Sequence, residues 1–456
     1  MEFLLIIGLI CFSIIAIFRL DWAIFIILTA LPAYLLRFKV GFIPTTMLEA
    51  MIVILFLSWF LQDKPWQRLK KHDWQNRRQK YPYHLEIIGI LVAAWLGAAV
   101  AGFDNAALGI LKAYFLEPIM LYLVIINRGK KSENRFIWPL ALSATVISAI
   151  AIFQQLTGLF IFNDFWAQAS QRRITSIFAY PNAVGLYLGP IIFLLAGLFL
   201  SYPKRSNLIT ASKKIFLLLI IVASLAAIIF ARSEGAWVGL LGGTFLVALL
   251  SHRRIRGLTI GLTIIGLIFL ACYAPAWQYI QKKATLMDLS GQIRRQQWQE
   301  TIVMLKNGNI ISGSGLSNYQ EKIKAFHQEG IFVKNDDPDW YRKVVWNEAY
   351  KKQVWQPVEI YMYPHNIFLN FWTEIGLLGA LIFTWLIGRY YYDAIKLLSK
   401  VEKNKRPLLL ALIGAMSAIF IHGLVDVPYF KNDLAIIFWL LVAILGLIKI
   451  KHQKTI

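Results

Sequence analysis

The residues best suited to chemistry in this chain stand where apolar stretches end. Arg232 closes a long uncharged run and is followed by Ser233, Glu234 and Gly235 before the next apolar run opens at Ala236. A guanidinium so placed is suited to gripping a phosphate or carboxylate through paired N–H donors. It is equally suited to anchoring a helix end at the head groups, with Glu234 as its ion-pair partner. His365 lies in Tyr363-Pro364-His365-Asn366, at the mouth of another apolar run. A neutral imidazole there can take up a proton at pH 7, or serve structure alone. Asn366 behind a proline reads as a helix N-cap. Arg294 and Arg295 sit in Gln292-Ile293-Arg294-Arg295-Gln296-Gln297-Trp298. Taken alone, they read as the solvated face of a helix. Arg172 and Arg173 precede Asn182 at a helix start, where free N–H groups favour anions and where Asn182 could simply cap. His422 and Asp426, four residues apart, suit a second acid–base pair or a helix-end ion pair. The chemistry these groups have in common is holding an anion and moving a proton.

The elements that must position them are membrane helices. Apolar residues make up 58% of the 456-residue chain, with a mean hydropathy of +0.57. They fall into blocks at 2–18, 21–36, 44–62, 84–101, 107–127, 136–157, 182–201, 215–231, 236–251, 257–275, 366–388, 407–424 and 434–450. Blocks of roughly 20 residues cross about 30 Å of hydrocarbon as helices. They run continuously apolar and do not alternate, which argues against a β-barrel. The expected fold is therefore an all-α polytopic membrane protein of about 12 or 13 helices, since the first two blocks read either as a hairpin or as one broken helix. Domain boundaries follow: helices with short loops over 1–276, one large and mostly helical loop over 277–364, and the last helices over 365–456. Loops longer than about 15 residues commonly carry function or structure of their own.

The net charge of +22 would suggest nucleic acid in a soluble protein. Here the Lys and Arg crowd into Lys64 to Lys80, Arg128 to Arg135, Pro203 to Lys214, Arg253 to Arg256, Lys396 to Arg406 and the tail. These segments fall on alternate sides of successive blocks, so the positive-inside rule puts all of them in the cytoplasm, with the C-terminus. Anionic membrane lipids are a second partner for such charge, and no nucleic acid is expected. The candidate residues then lie on the extracytoplasmic face. The first block lacks a basic leader and a small-residue cleavage site and reads as a retained helix. Cys11 and Cys272 form no disulfide framework. There is no P-loop, HExxH or CxxC motif, and the Asp336-Asp337-Pro338-Asp339 cluster reads as a solvated turn. Neither a metal nor a cofactor is expected.

Several of these stretches resemble the O-antigen ligase and O-antigen polymerase superfamily. His365-Asn366, nine residues, then Gly376-Leu377-Leu378-Gly379 is similar to the ligase signature, in its expected place after a large outer loop. Ala231-Arg232-Ser233-Glu234-Gly235-Ala236-Trp237 is similar to a Ser-Arg-Gly-Ala-Trp turn, although Ser233 and Glu234 separate the arginine from the glycine. Arg294 to Trp298 followed by Gly313-Ser314-Gly315-Leu316-Ser317-Asn318-Tyr319, Arg173 to Asn182, and His422 to Asp426 look like three further elements, in the family's order. The resemblance implies a membrane glycosyltransferase of the cell envelope that acts in polysaccharide or lipopolysaccharide biosynthesis. It implies transfer of a glycan from a polyprenyl (undecaprenyl) diphosphate to a hydroxyl of a glycan, lipid or protein acceptor, inverting and without metal. It implies catalytic roles for His365 as base and for Arg232 and Arg294 on the leaving diphosphate. Arg173, Arg295, Asn182, Asn366, His422 and Asp426 would bind substrate. Gly376 and Gly379 would be packing residues. The polymerase, which differs in its acceptor, is the nearest alternative. A secondary transporter is the alternative from another class, disfavoured because the polar residues gather at one face and no inverted repeat is visible.

Overall fold

The computed structural model describes residues 2–41, 43–65, 81–129, 133–203 and 207–453. Most of the basic stretch from Lys64 to Lys80, parts of two further basic loops and Lys454 lie outside the described residues. The protein is an all-α polytopic membrane protein. Among the described residues, eight helices are long and apolar enough to cross a membrane, and four apolar ones are shorter.

In chain order the main helices are α1 (Glu2–Phe18), α2 (Leu20–Thr29), α3 (Met47–Asp63), α4 (His84–Val100), α5 (Asn105–Arg128), α6 (Glu133–Thr157), α7 (Pro181–Ser201), α8 (Leu208–Ala231), α9 (Glu234–Leu250), α10 (Arg253–Cys272), α11 (Ala274–Ala284), α12 (Leu289–Met304), α13 (Ile367–Leu398), α14 (Arg406–Gly423) and α15 (Asn432–Gln453). Several boundaries differ from the hydropathy reading: α8 starts at Leu208 and not 215, and α13 runs on to Leu398 and not 388. The second block stops at Thr29, because Pro32 enters a 3₁₀ turn over Leu31–Leu35. Residues Arg37–Val40 and Ile43–Thr46 then pair as an antiparallel hairpin. The third block starts at Met47, where Thr46 and Glu49 form a capping box.

The centre of the bundle is α7, α14 and α15, whose side chains are mostly buried. α7 and α9 pack on α14, and α4 packs on α13. The close packing depends on small residues: a Cβ at Gly239 would come 2.8 Å from the Ala418 carbonyl, and one at Gly243 would come 2.8 Å from that of Gly414.

The segment between α10 and α13 is largely helical, with α11, α12 and several one-turn helices. It also contains a two-stranded antiparallel sheet, Gly330–Phe332 with Trp355–Pro357. It docks onto α13 at a break in that helix. Gly376 has φ 73°, and Ile375 and Gly376 leave helical geometry. This corrects the reading of Gly376 as a helix-packing residue. A side chain there would collide with the carbonyl of Ile311, to which Leu377 N–H donates at 3.0 Å. Ser314 N–H donates to the Thr373 carbonyl at 2.7 Å, and the Glu374 carboxylate accepts from Ser317 N–H at 2.8 Å. The loop thus replaces backbone partners that the helix loses at its break.

Candidate active site

The helix ends and the large loop converge at one end of the bundle. His365 immediately precedes α13 and has φ 45°, a left-handed conformation uncommon outside glycine. Three contacts hold it there. Trp298 Nε1 donates to the Pro364 carbonyl at 2.9 Å. The Tyr361 and Tyr363 rings stand edge-on to the imidazole, each at 5.0 Å. His365 Nδ1 lies 3.1 Å from Gln297 Oε1. In the tautomer that donates from Nδ1 to that oxygen, Nε2 keeps its lone pair. Nε2 makes no hydrogen bond among the described residues. Burial holds the imidazole below its ordinary pKa; the charge of Asp426 opposes this and that of Arg294 adds to it. Asn366 caps α13, accepting from Phe368 N–H at 3.0 Å and Leu369 N–H at 3.1 Å. Its amide also donates to the Leu424 carbonyl at 3.1 Å, tying α13 to the end of α14.

Arg294 and Gln297 are three residues apart on α12 and so share a face. Arg294 Nε donates to the Val425 carbonyl at 3.0 Å and Nη1 to Ser290 Oγ at 2.7 Å. Arg295 points elsewhere: it is exposed and contacts Met287 Sδ at 3.5 Å. It is not brought among these groups, because adjacent residues on a helix diverge by about 100°.

Arg232 is the C-cap of α8, also left-handed at φ 50°. Its guanidinium is exposed and makes no hydrogen bond or ion pair among the described residues. Glu234 is not its partner, since both carboxylate oxygens lie 2.8 Å from Lys283 Nζ. Lys283 also reaches Asp288 at 3.0 Å, pinning α11 and the start of α12 over the α8–α9 turn. Arg173 braces that turn from below. Its Nε donates to the Ala231 carbonyl at 3.1 Å, and its Nη2 to Asn182 Oδ1 at 3.2 Å and the Arg232 carbonyl at 3.4 Å. Asn182 is therefore the holder of Arg173; Tyr180 stands at the N-cap position of α7. Burial lowers the Arg173 pKa, the nearby Arg232 charge lowers it further, and Glu234 partly offsets both. Arg172 turns away to the Gln155 carbonyl at 2.8 Å.

His422 and Asp426 complete the cluster. Both are buried, with Nε2 and Oδ2 3.9 Å apart, too long for a direct hydrogen bond. A Cβ at Gly235 would touch the His422 ring, so that glycine admits the histidine beside the Arg232 turn. Reading the sequence alone missed Gln297, Tyr180, Tyr363 and Lys431. The i+3 spacing of Gln297 from Arg294 was the available signal. Lys431 Nζ lies 4.1 Å from the Tyr180 ring. Burial lowers its pKa, with Asp433 and Asp426 opposing. Burial, with a contribution from Asp426, pushes the Tyr363 hydroxyl up to about 12. The cluster therefore offers cations, hydroxyl donors and one imidazole with a free lone pair.

Residues 219–384 match the O-antigen ligase family. The match supports the superfamily that the sequence motifs resemble and, with it, a membrane glycosyltransferase of the O-antigen ligase or polymerase type. Its span contains Arg232, Arg294, His365 and Asn366, with the whole large loop. Arg173, Asn182, His422 and Asp426 lie outside it and join the matched residues only in three dimensions. No curated protein matches the chain.

Proposed function

We propose that the protein transfers a glycan from a polyprenyl diphosphate to an acceptor hydroxyl, ligase-like, with inversion at the anomeric carbon and without a metal. The observation that carries this reading is His365: Nδ1 lies 3.1 Å from the Gln297 amide oxygen and Nε2 has no hydrogen-bond partner among the described residues, beside arginines whose charge is not consumed by carboxylates. In the reaction the acceptor oxygen forms a bond to the anomeric carbon as the bond from that carbon to the diphosphate oxygen breaks. The hydroxyl proton passes to His365 Nε2. The electron pair leaves with the diphosphate, whose growing charge meets Arg232 and Arg294. Arg173 holds the Arg232 turn, and its own charge adds to the local field. The site faces the outside of the cytoplasmic membrane; this reading is supported by the described basic segments Arg253 to Arg256 and Lys396 to Arg406, which follow the far ends of α9 and α13.

The test is transfer by purified protein from a synthetic polyprenyl-diphosphate oligosaccharide, with chelator present and glycan, lipid and protein acceptors offered separately. Product from the wild type and none from His365→Ala is expected. The acceptor used separates ligase from polymerase. Retention of configuration in the product, or normal transfer by His365→Ala, would refute the mechanism.

A further inference from the structure

A second site lies at the opposite end of the bundle. The last turns of α13 and the end of α15 border a cavity of about 740 Å³, lined among others by Trp385, Arg389, Tyr392, Lys396, Lys400 and Lys449. Its walls are mainly apolar and its mouth is basic. Two of its cations are neutralised and fixed by buried carboxylates: Arg389 Nη1 lies 2.6 Å from Glu86 Oε1, and Lys449 Nζ lies 2.6 Å from Asp393 Oδ2. They flank the Tyr83 ring at 5.8 and 5.7 Å. Two cations remain without a carboxylate partner among the described residues. Lys396 rests against Tyr392, 3.3 Å from its hydroxyl, and Lys400 is exposed. His452, which also lines the cavity, has a buried Nε2 with no hydrogen-bond partner. Trp385 and Tyr392 are 66% and 61% exposed, as aromatic side chains are at the boundary between hydrocarbon and head groups.

We propose that this cavity binds an anionic phospholipid of the leaflet opposite the glycan-transfer site. The uncompensated charge of Lys396 and Lys400 sets the sign of the ligand. The apolar wall running toward Trp385 sets its class, since a free phosphate ion has no use for that surface and an acyl chain does. The volume suits a head group with the upper part of its chains. Basic pockets between helices at the leaflet surface select anionic head groups in this way. The phosphate would lie between Lys396 and Lys400. Neither pair that fixes Arg389 and Lys449 needs to break. The site is independent of the glycan-transfer reading.

The experiment adds phosphatidylglycerol or phosphatidylcholine stepwise to delipidated full-length protein in detergent and counts lipid adducts by native mass spectrometry. The wild type should bind phosphatidylglycerol on the order of tenfold more tightly than phosphatidylcholine. The double variant Lys396→Gln/Lys400→Gln should lose that preference, and Lys400→Gln alone should lose part of it. Lys403→Gln/Lys405→Gln, which removes equal charge from the same loop outside the cavity, should keep it. The proposal is overturned by equal binding of the two lipids to the wild type, or by an unchanged preference in the cavity variants. An equal loss in the Lys403/Lys405 control would show a diffuse surface effect and also overturn it. Displacement of the lipid by glycerol 3-phosphate at equal concentration would show that a phosphate ion suffices and would likewise sink it.

Discussion

Gln297 should govern how His365 titrates, and two substitutions at this one position should separate two effects. The general base must be neutral, so transfer rises with pH as His365 loses its proton and is level above that. Burial holds the His365 pKa below the ordinary histidine value, so the acidic limb in the wild type should lie below about pH 6.5 and the rate should be flat at neutrality. Gln297→Glu puts a carboxylate about 3 Å from Nδ1, at a residue that is only 3% exposed. An opposite charge within that distance raises an imidazole pKa by one unit or more, of order 1–3. The limb should therefore move up by about one unit. The plateau rate should stay near the wild-type value, because a carboxylate still accepts from Nδ1 and keeps the tautomer. Gln297→Leu removes the acceptor without adding charge. Loss of such an orienting partner costs about 10- to 100-fold, so its plateau should fall by that much with no upward shift of the limb. The assay is initial-rate transfer from the lipid-linked oligosaccharide between pH 5 and 9, at saturating acceptor. If Gln297→Glu leaves the limb in place, or Gln297→Leu transfers at the wild-type rate, His365 is not the base or Nδ1 is not held as described.

Other outcomes follow from the same geometry. Arg232 occupies a left-handed corner at φ 50°, so Arg232→Gly should keep or slightly raise the midpoint of thermal unfolding, while transfer falls about 100- to 1,000-fold as for loss of one charge-stabilising donor. A large loss of thermal stability would mean that the arginine serves the fold. Arg294→Lys keeps the charge but not the simultaneous hydrogen bonds to Val425 and Ser290, so it should lower kcat at least tenfold with little change in unfolding temperature; an unchanged kcat would leave Arg294 a bulk charge. Asn182→Ala should weaken transfer less than Arg173→Ala, because Arg173 retains the Ala231 and Arg232 carbonyls; the reverse order, measured as kcat/KM, would contradict the bracing role. Gly376→Ala should lower the yield of folded protein in the membrane, since φ 73° disfavours any side chain and the Ile311 carbonyl blocks it; normal yield and stability would show that the loop need not dock there.

How much of this was legible in the residues depends on the range of the interaction that decides each feature. Helix existence was legible because transfer of an apolar block into hydrocarbon is decided within the block itself. The end of α2 was not, since hydropathy runs on through Pro32 while the backbone turns there. His365, Arg232 and Arg294 were legible as candidates because charged or titratable groups at apolar boundaries are rare and costly. Their partners were not. Glu234 is adjacent to the arginine in sequence and so invited pairing, yet Lys283, 49 residues away, takes both of its oxygens. Arg295 was grouped with Arg294 by adjacency, whereas the helix turns them to different faces and selects Gln297 instead. Gly376 shows the same limit from the backbone side. A Gly-x-x-Gly pattern reads as close helix packing, but whether its first glycine packs or breaks the helix is decided by Ile311, which is 65 residues earlier in the chain and supplies a carbonyl at the break. Motif spacing therefore marked the candidates, and contacts across the large loop decide which neighbour each group serves.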